Sequence, residues 1–199
     1  MERFLRAILR LLDSAGRNVA ACLVAVLFLI SCGADNELDA DAADSAPGSL
    51  DDVEYLVVAS REHTDHDLEY PTTPPAGGDH LGVWHNCGIY TVPLLDEAAV
   101  HSLEHGAVWV TYRPDLGANT VLRLTDLLSG REKLLVSPHP HQIPGLVATA
   151  WARQLVLDGP DDPRLEAFIS RFADGDAAPE ARVTCQGGIG QPPADPYGR

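Results

Sequence analysis

The chain has 199 residues, with 29 acidic side chains against 14 basic ones and a formal net charge of −15. This balance argues against nucleic acid and anionic lipid surfaces as partners, because phosphate contacts need Lys and Arg. The length suits one domain of ordinary size once the terminal segments are set aside.

Residues 1–17 carry Arg3, Arg6, Arg10 and Arg17 against Glu2 and Asp13. The uncharged run VAACLVAVLFLIS follows and ends at Cys32. It is short for a bilayer span, which takes roughly 20 apolar residues. A basic start, a short apolar core and a small-residue cleavage site describe a secretory signal over residues 1–32. Leu29-Ile30-Ser31-Cys32 resembles the lipobox of bacterial lipoproteins, which implies lipidation of Cys32. A short, uncleaved membrane anchor is the alternative. Both readings place the remainder outside the cytoplasm, in the cell envelope, held to the membrane at its N-terminal end.

Residues 33–52, GADNELDADAADSAPGSLDD, are acidic and poor in large apolar side chains. Such a segment buries too little surface to offset its ordering entropy, so it is expected to be a disordered tether. Four basic and two acidic residues precede Cys32, which leaves ten against 27 and a net charge of −17 for the rest. The folded domain is expected over 53–188, with a loose Gly/Pro-rich tail over 189–199.

VEYLVVAS (53–60) reads as a strand. Residues 61–80 are loop chemistry, with Pro71, Pro74 and Pro75 fixing φ and Gly77-Gly78 permitting a turn closed to other residues. WHNCGIYTVP (84–93) is a short extended piece. DEAAVHSLEHG predicts a helix over roughly 97–105, with Asp96 as its cap and Gly106 at the left-handed position that ends it. AVWVTY (107–112) alternates as a strand does. NTVLRLTDLLSG (119–130) predicts a helix capped by Asn119 and stopped by Gly130. LLVSPHP (134–140) is a strand, LVATAWARQLVLD (146–158) a buried strand or hairpin, and DPRLEAFISRFADG (162–175) an amphipathic helix with Leu165, Phe168, Ile169 and Phe172 on one stripe. The order predicts an α+β fold: a single small domain whose mainly antiparallel sheet carries two or three helices on one face.

Cys87 and Cys185 remain once the signal and lipid-site cysteines are set aside. In an oxidising compartment the simplest reading is a disulfide. The rival reading keeps Cys87 as a thiolate metal ligand, although a free thiol outside the cell oxidises readily.

All eight histidines lie between residues 63 and 141. His101 and His105 stand at i and i+4, so both rings leave one helical face. Neutral imidazole is the commonest metal ligand, and two on one face can chelate an ion. His80 follows a stiff Gly/Pro loop and is a further candidate, and His63 another. Glu104 is expected to orient a histidine from behind by accepting its second N–H. HSLEH also satisfies H-x-x-E-H, in which the glutamate is the general base of a zinc peptidase; Glu166 is then the nearest candidate for the further ligand. His66, His139 and His141 read as solvated side chains outside the site, and His85 is not a candidate.

Several ordered motifs match one family: His63, TPPAGGDH (73–80), WHNCGIY (84–90), VHSLEHGAVWVTY (100–112), TAWARQL (149–155), DDPRLEAF (161–168), and Pro179, Glu180 and Cys185. Through them the stretch from His63 to Cys185 resembles the bacterial domain of unknown function 3105. The resemblance implies an exported or membrane-anchored domain. It favours His63, His80, His101 and His105 over the other four histidines, and it supports pairing of Cys87 with Cys185.

The expected function is an envelope lipoprotein that binds a transition-metal ion, copper or zinc, through His101, His105, His80 and His63. Met1 is the only methionine, so a thioether site is ruled out. Two alternatives stay open: a structural or protein-interaction module of the envelope without metal, and a zinc hydrolase. No enzyme activity is the favoured expectation, and no protein partner is identified.

Overall fold

The computed structural model describes residues 48–193. The expected signal over 1–32, the lipidation site Cys32, the tether up to residue 47 and the tail beyond 193 lie outside the described residues. Among the described residues no helix is long and apolar enough to cross a membrane.

The elements in chain order are β1 (Glu54–Tyr55), β2 (His63–Thr64), β3 (His80–Leu81), β4 (Gly88–Ile89), α1 (Asp96–Glu104), β5 (Val108–Tyr112), α2 (Ala118–Leu128), β6 (Leu134–Pro138), β7 (Leu146–Ala150), β8 (Arg153–Leu157) and α3 (Pro163–Phe172). Six strands form one sheet in the order β1-β8-β7-β5-β6-β4, and β2 pairs with β3 in a separate ladder. The β5–β7, β7–β8 and β1–β8 pairs are antiparallel. β5 and β6 run parallel, with Val110 opposite Val136. A parallel pair needs a crossover, and α2 supplies it. The fold is α+β with a mainly antiparallel sheet, as the sequence predicts.

Alternation along each strand divides the core into two layers. Val108, Val110, Tyr112, Leu134, Val136, Leu146, Ala148, Leu155 and Leu157 pack against Val121, Leu124 and Leu128 of α2 and Leu165, Phe168, Ile169 and Phe172 of α3. Trp109 and Leu135 point the other way, toward Ala99, Val100 and Leu103 of α1 and toward Trp151. Two helices therefore share one face, and the histidine-bearing α1 sits on the other. The apolar content of α1 explains this: Ala98, Ala99, Val100 and Leu103 are fully buried.

Several local expectations change. Only Glu54–Tyr55 of VEYLVVAS joins the sheet, because the chain then leaves β8 for the site loop. Asp96 does not cap α1; Leu95 is the N-cap residue, and its N–H donates to Nε2 of His85 at 3.1 Å. Asn119 does not cap α2, which starts after Gly117. His139 is buried, not solvated, and its Nε2 lies 3.2 Å from Oδ1 of Asp96.

Residues 48–52 belong to the fold. Leu50 packs on the α2–α3 layer, and Oδ2 of Asp52 accepts from Arg164 at 2.8 Å. At the other end, residues 188–190 are docked. Asn86 binds the carbonyls of Gly188 and Gly190, and Ile189 bridges to His85. Hydrogen bonding to Asn86 thus overrides the flexibility expected from composition.

Candidate metal centre

Helix α1 is built to present its last turn inward. Ser102 Oγ accepts from the His85 N–H at 3.0 Å and donates to the His85 carbonyl at 2.9 Å, pinning the helix to the segment before β4. The helix ends as predicted at Gly106, whose φ is +86°. The N–H of Gly106 donates to the Leu103 carbonyl and that of Ala107 to the Ser102 carbonyl, the double closure of a Schellman motif. His101, Glu104 and His105 are held there with 3 %, 2 % and 2 % exposure.

The site loop brings the other rings. In the parallel β2–β3 ladder His63 stands opposite His80, so both side chains leave the same side. The ring centroids of His63 and His80 are 5.0 Å apart, those of His63 and His101 4.9 Å, and those of His80 and His101 4.8 Å. Gly78, at φ +129°, turns its carbonyl onto Nδ1 of His80 at 2.8 Å. The Tyr70 hydroxyl donates to the Asp79 carbonyl at 2.8 Å and braces the same turn.

Each of the three buried imidazoles in the cluster is oriented from behind. Nδ1 of His80 meets the Gly78 carbonyl, Nδ1 of His101 the Leu81 carbonyl at 2.6 Å, and Nδ1 of His105 the Thr184 carbonyl at 3.0 Å. A carbonyl oxygen only accepts, so each Nδ1 carries a proton and each Nε2 is turned the other way. All three Nε2 atoms point into the cluster. His101 Nε2 and His105 Nε2 face each other at 3.1 Å. His80 Nε2 faces Oε2 of Glu104 at 3.0 Å, both of them buried. Facing atoms at these distances are bridged by a proton or by a metal cation placed between them.

Burial lowers the pKa of His101, and the neighbouring imidazoles of His105, His80 and His63 act in the same direction against the Leu81 carbonyl. Burial likewise lowers that of His105, opposed by the Thr184 carbonyl, Glu180 and Glu104. Both rings are therefore held neutral, the form in which imidazole ligates.

Among the described residues two groups of side chains could hold a metal ion. One is His63, His80, His101 and Glu104; the other is His101, His105 and Glu180. Within each, the ligating atoms lie within 4.8 Å of one another. The four histidines expected at one point thus divide, with His105 joining a second set that shares His101.

Glu104 is not behind a histidine. Backbone carbonyls occupy that place, and the Glu104 carboxylate stands among the ligating atoms, its Oε1 held by Arg61 at 3.1 Å. The sequence reading missed Glu180 as a site residue; its Oε2 lies 3.5 Å from Nε2 of His105. Trp84, whose ring centroid is 4.6 Å from that of His105, covers the cluster on one side. Glu166 is not part of the site: it sits on α3, on the other face of the sheet, paired with Arg131 at 2.6 Å.

Cys87 and Cys185 are joined in a disulfide across a sequence separation of 98 residues. This removes Cys87 from the ligand candidates. It also ties the segment bearing Thr184 to the segment before β4, where the Cys87 N–H donates to the Cys185 carbonyl at 2.9 Å.

A family model described as a protein of unknown function (DUF3105) matches residues 62–187. The chain belongs to the DUF3105 family. The DUF3105 match begins one residue before His63 and ends two after Cys185, so it takes in all six donor residues and both cysteines. No curated protein and no solved structure matches the chain.

Proposed function

We propose that this DUF3105 protein binds one divalent transition-metal ion in the cell envelope, at the site formed by His63, His80, His101 and Glu104. The observation that carries the reading is the convergence of these four side chains: their ligating atoms lie within 4.8 Å of one another, with His80, His101 and Glu104 buried. Three imidazoles and one carboxylate are a donor set for Zn(II) or Cu(II), and copper binds the tighter of the two by affinity order. Backbone carbonyls behind His80 and His101 supply the support that ligating histidines ordinarily have. The anchor follows from the lipobox reading: an acylated Cys32 holds the domain to a membrane, with the acidic segment as spacer.

A metal-free structural role is favoured by one contact. Arg61 already gives Glu104 a cationic partner at 3.1 Å. Equilibrium dialysis of the purified protein against Zn(II) and against Cu(II), followed by elemental analysis, separates the two. We expect one ion per chain, lost in His80→Ala. A protein that retains neither ion is a structural module.

A further inference from the structure

The metal reading treats one group of donors and leaves His105 and Glu180 without a part. His101 belongs to both groups, yet its Nδ1 is committed to the Leu81 carbonyl at 2.6 Å. It has one lone pair to give, on Nε2, and so serves one ion at a time. The two groups are therefore alternative positions for the same ion.

The ends of the cluster are open and its middle is closed. His63 is exposed, and the Glu180 side chain is 45 % exposed. Between them His80, His101, Glu104 and His105 are at most 3 % exposed. Adjacent donors lie at 3.0 Å (His80 to Glu104), 3.1 Å (His101 to His105) and 3.5 Å (His105 to Glu180).

The donor counts differ in an informative way. The inner position has three imidazoles and one carboxylate, while the outer has two imidazoles and one carboxylate. Each supplies a single negative charge, so a divalent ion carries the same net charge with its ligands in either place. Three protein donors leave a tetrahedral ion one open coordination position, which is how sites that accept an external ligand are built.

We infer that, building on the metal-binding reading, the cluster is a two-position transfer site, with His101, His105 and Glu180 as a loading and unloading port for the inner site. The ion keeps Nε2 of His101 throughout. It exchanges His63, His80 and Glu104 for His105 and Glu180, and an oxygen or nitrogen donor from the delivering or receiving ligand fills the open position. No electron moves and the ion stays divalent. The partner class is a divalent-metal chelate, protein or small molecule, that contributes one donor at the Glu180 end.

Stopped-flow transfer of Zn(II) between the full-length protein and the chromophoric chelator 4-(2-pyridylazo)resorcinol tests this. Glu180→Gln and His105→Ala should slow loading and unloading by similar factors, each about tenfold or more. Equilibrium affinity should move far less than either rate. Glu166→Gln, on α3 away from the cluster, should change neither. Wild-type transfer rates in Glu180→Gln, whose half-exposed side chain tolerates the exchange, would overturn the inference while leaving the inner site standing. Two ions per wild-type chain at saturation would overturn it as well. A protein that retains no zinc removes both readings together.

Discussion

Nε2 of His101 and Nε2 of His105 lie 3.1 Å apart, while the Nδ1 protons of the two rings are committed to the carbonyls of Leu81 and Thr184. Two unshared electron pairs at that distance repel in the bare protein and attract a common cation. Replacing His101 removes the donor that both groups use. His101→Ala should lower zinc affinity by more than the roughly 10–100-fold that follows loss of a supporting contact. Competition titration against a chelator reads this directly, and an affinity within threefold of wild type, on the order of 0.7 kcal/mol, would remove His101 from the site.

The i, i+4 spacing of His101 and His105 and the stop at Gly106 were legible because both are local to one helix. The strand at 108–112 and the apolar stripe on 165–172 were legible for the same reason, since neither needs knowledge of partners. His80 stood out through its stiff Gly/Pro loop. Glu180 did not, since it is one acidic side chain among 29 and reaches His105 only through tertiary closure. His139 misled for a related reason. The Pro-His-Pro setting suggests a solvated turn, but Asp96 and the Trp109 ring, 5.7 Å away, draw the imidazole inward. Main-chain carbonyls, invisible to pattern reading, already meet Nδ1 of His80, His101 and His105, so the Glu104 carboxylate faces Nε2 of His80 instead.

His85 makes stability depend on pH. Burial lowers its pKa, and its Nε2 accepts the N–H of Leu95 at the start of α1, so protonation there removes an acceptor. The unfolded ring titrates near pH 6.5. Below that value the unfolded chain binds more protons than the folded one, so stability is present above about pH 6.5 and declines as pH falls toward the depressed folded value. His101 and His105 act with the same sign in the metal-free protein. The urea midpoint of the metal-free protein should therefore fall between about pH 7 and 5.5; a flat or rising midpoint would contradict the burial argument.

Asp162 sets a second acid limit. Its Oδ1 accepts the Arg164 N–H at 2.9 Å as the cap of α3, and the Arg164 guanidinium beside it is the main cause that holds its pKa down to about 2. A depressed carboxyl stabilises the fold above its ordinary value near 4 and gives that up as pH falls toward 2. Asp162→Ala should cost about 1 kcal/mol through the lost cap. Asp162→Asn should keep most of the cap while flattening the stability curve below about pH 4. Urea unfolding at pH 7 and pH 3 distinguishes the two effects.

Gly188 reports on the docked C-terminal segment. A Cβ there would stand 2.1 Å from the Trp84 carbonyl oxygen and 2.7 Å from its ring. Gly188→Ala should destabilise by about 1–3 kcal/mol, as overpacking does. Because the Trp84 ring also borders His101, with centroids 5.5 Å apart, it should also weaken zinc binding. Gly159→Ala, where an added methyl meets nothing within 4 Å, is the matched control in thermal unfolding.

The bridge between Cys87 and Cys185 has a temporal consequence. Thr184, which aims His105, is the residue next to Cys185. The thiols become linked only after nearly the whole domain has emerged and met an oxidant. A chain still in reducing surroundings lacks this covalent latch, and the His105 imidazole then depends on weaker forces for its direction. The direction of the His105 ring is thus fixed covalently only once Cys87 and Cys185 are oxidised.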